Sequence, residues 1–97
     1  MKLKFEWDER KAAANRRKHG ISFEEARTVF FDEDALQTPD PEHSGEDERF
    51  IMLAMSFRLR VLVVCHCYRE NAEVIRIISA RKADRDERSQ YAERRTE

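Results

Sequence analysis

Glycine and proline are scarce in this chain, two of each among 97 residues. Gly20 and Gly45 are too few and too far apart for a glycine-rich phosphate loop, and neither GxGxxG, HExxH nor Gly-x-Ser-x-Gly occurs. The two cysteines, Cys65 and Cys67, flank His66. Cysteines two apart on a strand point to one face and do not readily bridge each other. Four thiolate or imidazole ligands at finger spacing are missing, so no structural zinc site is expected, nor any other metal or cofactor. No apolar run approaches the roughly 20 residues that a membrane-crossing helix needs. Met1–Asp8 lacks the apolar stretch of a signal peptide, so the expectation is a cytoplasmic protein without membrane contact. Repeats and low-complexity segments are absent as well.

What the chain has is charge. Charged residues make up 40 % of it and hydrophobic residues another 40 %, against a usual charged share near 25 %. The length fits one domain, residues 1–97, with one modest core. The net charge of −1 hides an uneven distribution. Residues 1–20 hold seven Lys/Arg and three Asp/Glu, residues 21–57 two and ten, and residues 58–97 ten and seven. Two basic blocks thus flank an acidic middle. They can converge on an anion-binding face, or simply solvate a small domain.

Alternation of Leu3, Phe5 and Trp7 with Lys4 and Glu6 predicts a short strand. Asp8 caps a helix through about Lys18, with Ala12, Ala13 and Ala14 as its apolar face and Gly20 as its left-handed stop. Ser22 and Glu25 read as a capping box opening a second helix, which buries Phe23, Ala26 and Phe30. Ala35–Thr38 suits a short edge strand, followed by an acidic loop from Pro39 to Asp47. Three strands follow: Phe50–Met55, a central Val61–Tyr68, and Val74–Ala80 after a turn at Arg69–Ala72. Asp84 caps a last helix with little to bury beyond Ala83, Tyr91 and Ala92. The expected fold is α+β and two-layered, in the order β-α-α-β-β-β-(β)-α. An antiparallel meander carries helices on one face, and the other face is left at least partly open.

Arg76 is the most informative residue. It interrupts Val74-Ile75-Arg76-Ile77-Ile78, where a charge is costly unless it is paired or aimed at an anion. Strict alternation puts Arg81 on the opposite face, although a twist at the strand end can bring the two together. His66 stands opposite Arg76 if the hairpin loop holds three residues, and on the other face if it holds two. Arg60 opens the central strand and Arg69 sits in the turn. Arginines beside a histidine suit RNA cleavage by 2′-hydroxyl attack, which needs positive charge on the phosphate and proton transfer at two oxygens. The proton carrier is His66, Glu48 or Tyr91, or the substrate itself. Trp7, Asp8, Lys11 and His19 form a second polar group at the N-terminus. Lys11, Lys18, Lys82 and Tyr91 are candidates for RNA contacts.

Several stretches together resemble one known family. They are Phe5–Asp8 with Lys11, Asn15 and Lys18–Gly20; Phe23–Ala26 with Val29-Phe30; Asp40–His43 with Glu48-Arg49; and Ile75–Ala83 with Glu87-Arg88 and Tyr91. They run over nearly the whole chain and resemble the BrnT family of toxins, the Arg-Ile-Ile-Ser-Ala-Arg-Lys-Ala block most specifically. The resemblance implies a RelE-like fold and a ribonuclease that blocks translation. It also implies a BrnA-like antitoxin with a ribbon-helix-helix domain, through which alone the toxin meets promoter DNA. Carried onto this chain, it marks Arg60, Arg69, Arg76 and Arg81 as active-site positions. The rival reading is a catalytically inactive protein-binding module within a DNA-binding repressor complex.

Overall fold

The computed structural model describes residues 3–42 and 48–96. The expected acidic loop and His43 therefore fall largely outside the described residues.

Local sequence signals set the first elements. Strand β1 (Lys4–Glu6) leads to helix α1 (Glu9–His19). The Asp8 carboxylate accepts from the N–H groups of Arg10 at 2.8 Å and Lys11 at 3.2 Å, satisfying two donors with no partner inside the helix. Gly20 takes the left-handed conformation, φ 73°, and closes the helix by donating to the Arg16 carbonyl at 2.8 Å. Helix α2 (Phe23–Thr28) starts at Ser22, whose Oγ accepts from Glu25 N at 3.0 Å, and passes into one 3-10 turn at Val29–Phe31. The expected reach of Glu25 back to the cap does not occur. Its buried carboxylate accepts instead from Ser56 Oγ at 2.7 Å and from the Arg60 guanidinium. A reciprocal capping box forms in helix α3 (Arg85–Arg95), between Asp84 and Glu87.

The sheet is open and mixed, in the order β1-β5-β4-β3-β2. Strands β2 (Leu36–Pro39), β3 (Arg49–Met55), β4 (Val61–Arg69) and β5 (Val74–Lys82) run antiparallel in sequence, and β1 joins β5 in parallel. Because β1 is so short, it pairs only Val74, Ile75 and Arg76, and among the described residues the outer edge of β5 beyond Arg76 has no strand partner. Asn15 of α1 closes part of that edge. Its amide accepts from Ala80 N at 3.0 Å and donates to Ala80 O at 2.8 Å and Ile21 O at 2.9 Å. Asn15, rather than the alanines around it, is the buried residue of α1.

Two helices and the 3-10 turn cover one face of the sheet. Ile21, Phe23, Ala26 and Val29 pack there on Met52, Ala54, Leu62, Val64, Ile77 and Ala80. Helix α3 lies on the opposite face. Ala83 and Tyr91 pack with Leu53 and Val63, and the Tyr91 hydroxyl donates to Asp32 Oδ2 at 2.6 Å. The second face is therefore covered at one end only. Among the described residues, no helix is long and apolar enough to cross a membrane.

Candidate functional site

Register decides which side chains share the second face. Across the sheet, Arg49, Cys67, Arg76 and Glu6 form one row; Thr38, Ile51, Cys65 and Ser79 the next; and Leu36, Leu53, Val63 and Arg81 a third. Arg76 and Arg81 are an odd number of residues apart, so an unbroken strand would separate them. A β-bulge prevents this. Ile77 pairs with His66 and Ser79 with Cys65, which leaves Ile78 as the extra residue and shifts the alternation by one. Both arginines then stand on the open face, roughly 13 Å apart along the strand at about 3.3 Å per residue of β4.

Carboxylates hold these arginines in place. Glu6 Oε2 accepts from Arg76 Nη1 at 2.6 Å and lies 3.6 Å from Arg69 Nε. Glu87 accepts from Arg81 in a fork at 2.8 and 2.9 Å. Those bonds lower the Glu87 carboxyl pKa and raise that of the Arg81 guanidinium, so both stay charged. Arg76 keeps 31 % of its side chain exposed and has donors left for a ligand. A cavity of about 470 Å³ opens beside Arg81. It is lined by Arg49, Cys65 and Ser79 from the sheet and by Lys18 and His19 from the last turn of α1. Arg49, Arg81 and Lys18 bring three cations to this cavity, against the carboxylate of Asp40, and Arg69 and Arg76 stand beyond it at Glu6. Burial pushes the Cys65 thiol up, despite the nearby Arg49 guanidinium, so the sulfur is a thiol rather than a reactive thiolate. Among the described residues, no group of three or more His, Cys, Asp or Glu side chains converges as a metal site would.

The structure sets Arg69 and Arg76 beside Glu6, and Arg81 and Lys18 at the cavity further along the same face, and places the other expected residues elsewhere. Arg60 lies on the helix side, where it pairs with Glu25 and neutralises a buried carboxylate. Burial opposes ionisation of Glu25, but hydrogen bonds from Arg60 and Ser56 outweigh it and keep its pKa below the usual value. His66 stands opposite Ile77, not Arg76, and is 0 % exposed. Its Nε2 is 2.8 Å from Gln37 Oε1, and its ring packs edge-on against Phe30 at 4.7 Å. Burial lowers its pKa to about 4, so it is neutral at physiological pH and out of reach of a ligand. Tyr91 is 3 % exposed. Burial first, and then its bond to Asp32, raise its pKa far above the phenol value. Lys82 pairs opposite Leu62 on the helix side, and Lys11 projects from an exposed turn of α1. Arg49 and His19, which line the cavity, were not among the site residues expected from the sequence. Arg49 precedes Ile51, Leu53 and Met55 at alternating positions, which was the available signal for its face.

A small, open-sheet α+β protein with a guanidinium-rich end on one sheet face is the class that fold and site define. Residues 7–87 match the family described as the ribonuclease toxin BrnT of type II toxin-antitoxin systems, and the chain belongs to that family. The crystal structure of the Brucella abortus ribonuclease toxin BrnT, at 1.1 Å, has the same fold. It aligns with a TM-score of 0.66 and 24 % identity over 87 % of this chain and 100 % of that one. No curated protein matches the chain significantly.

Proposed function

We propose that the open end of the second sheet face binds and cleaves RNA without a metal ion. The observation that carries this reading is the bulge at Ile78, which sets Arg76 and Arg81 on one uncovered face beside Arg49, Arg69 and Lys18. Guanidinium groups supply the charge that a crowded phosphate needs in the transition state. The 2′-hydroxyl attacks the adjacent phosphorus, loses its proton and expels the 5′-oxygen, which gains one. A 2′,3′-cyclic phosphate and a free 5′-hydroxyl result. His19, which lines the cavity with Arg81 and Ser79, is the proton carrier in this scheme. Arg60, His66 and Tyr91 act in the scaffold.

The family assignment supports a partner. The chain acts in the cytoplasm as one toxin domain that blocks translation, and a BrnA-like ribbon-helix-helix antitoxin neutralises it and carries it to promoter DNA. The test uses antitoxin-free protein, RNA and EDTA. Cleavage persists in EDTA, and Arg76→Ala and Arg81→Ala each reduce it at least about 100-fold while circular dichroism stays unchanged. Folded wild-type protein that leaves RNA intact, or alanine variants that cleave normally, would refute the reading. Growth arrest on expression, relieved by co-expression of the adjacent small protein, tests the partner.

A further inference from the structure

A second, narrower opening lies on the same sheet face, between the sheet and α3, with a volume of about 240 Å³. Its floor is apolar, made by Ile51, Leu53 and Val63, and its rim is polar, made by Thr38, Glu87 and Gln90. It adjoins the cationic cavity, and Ile51 and Val63 line both. The wall between the two is the Arg81–Glu87 pair: Arg81 faces the cationic cavity and Glu87 the narrow slot. From this juxtaposition we infer that the slot under α3 receives one nucleobase of the bound RNA, and that it prefers bases carrying an exocyclic amino group.

Three features support this occupant. An apolar floor with a polar rim fits a flat aromatic ring that keeps hydrogen-bonding groups only along its edge. The position fits as well. Arg81 and Leu53 flank Val63 on neighbouring strands, each about 5 Å away, so a phosphate held by Arg81 leaves its base within reach of the slot. The chemistry of the rim sets the preference. The Glu87 carboxylate only accepts hydrogen bonds, whereas the Gln90 amide and Thr38 hydroxyl both donate and accept. Glu87 Oε1 is taken by Arg81 and Asp84 N, and Oε2 takes one bond from Arg81 and keeps room for one more donor. Adenine, cytosine and guanine present amino donors to that carboxylate. Uracil presents one N–H between two carbonyl oxygens, which the carboxylate repels.

The inference rests on the cationic face being where RNA binds, so the test keeps the two apart. Wild-type protein is given short single-stranded RNAs with one abasic nucleotide walked through the sequence, and kcat/KM is measured for each. The same series with 2′-O-methyl at the cleavage point reads binding alone by fluorescence anisotropy. At one position beside the scissile phosphate, removing the base lowers kcat/KM about 10-fold, as expected for loss of one held base. Uracil at that position is also cleaved more slowly than cytosine. Gln90→Trp, on the exposed face of α3, and Ile51→Trp, in the floor, fill the slot and abolish the difference between intact and abasic RNA. Cleavage and binding that ignore the abasic position while Arg81→Ala still loses activity overturn the slot and leave the cationic face standing. Indifference to both the abasic position and Arg81 overturns both readings. Tryptophan variants that weaken only antitoxin binding, with the RNA response intact, assign the slot to a protein and overturn the proposal.

Discussion

Replacement of Asn15 by alanine tests how the short first strand is compensated. The Asn15 side chain makes three hydrogen bonds, to Ile21 O, Ala80 O and Ala80 N, at 2.9, 2.8 and 3.0 Å. Asn15 is only 7 % exposed, so water cannot readily replace them. Truncation leaves two carbonyls and one N–H without partners. At about 1 kcal/mol of net contribution for each bond, Asn15→Ala costs about 3 kcal/mol. In a domain of this size 1 kcal/mol moves Tm by about 4–8 °C, so a fall of roughly 12–24 °C follows. The assay is thermal and urea unfolding followed by far-ultraviolet circular dichroism, with the exposed Arg17→Ala as a control that stays within about 0.5 kcal/mol. Asn15→Asp keeps the acceptor for Ala80 N but points an anion at two carbonyl oxygens. It is therefore worse than alanine at pH 7 and recovers as the pH falls and the carboxyl is protonated. A loss below about 1 kcal/mol for Asn15→Ala, or an aspartate variant insensitive to pH, would show that the amide does not close the β5 edge.

Four further outcomes follow. His66 has its folded pKa lowered from 6.5 to about 4, so between these values the unfolded chain binds more protons. Stability is complete above pH 6.5 and falls by about 3 kcal/mol as the pH drops toward 4, and urea titrations of His66→Phe lose that slope. Arg60→Ala leaves the Glu25 carboxylate half-satisfied and lowers stability by about 2–3 kcal/mol, while RNA cleavage per folded molecule stays unchanged. Tyr91→Phe removes the bond to Asp32 and loosens α3, at about 1–2 kcal/mol in urea unfolding. His19→Gln reduces cleavage about 100-fold with no change in RNA affinity by anisotropy; unchanged cleavage would exclude His19 as proton carrier.

What the sequence disclosed depends on how local the physics is. Asp8, Gly20, Ser22 and Asp84 act within a turn of their own helices, and each forms the cap that its type and position predict. Runs of apolar residues located β3, β4 and β5, because their central stretches are covered on one face by α1 and α2 and on part of the other by α3. The partner of Glu25 was not legible: Arg60 is 35 residues away and competes for the carboxylate only once the sheet exists. Asn15 looks like any polar residue on a charged helix until β1 stops short of Ala80. His66 belongs to the same pattern as Leu62 and Val64, yet its chemical type suggested catalysis, and burial decided otherwise. Arg76 was recognised as exceptional from its neighbours alone. Whether it shares a face with Arg81 stayed open, because no glycine or proline marks the bulge between them.

Ile78 gives that bulge a meaning beyond geometry. The strand beyond it is read in a shifted phase, like text after an inserted letter. Loss of that single codon would remove the inserted letter and leave the reading intact: Ile77, Ser79, Ala80 and Arg81 would still face His66, Cys65, Val64 and Val63, with Arg76 and Arg81 four residues apart on one face. The position of Arg81 is thus tied to its β4 partner rather than to its distance from Arg76 along the chain.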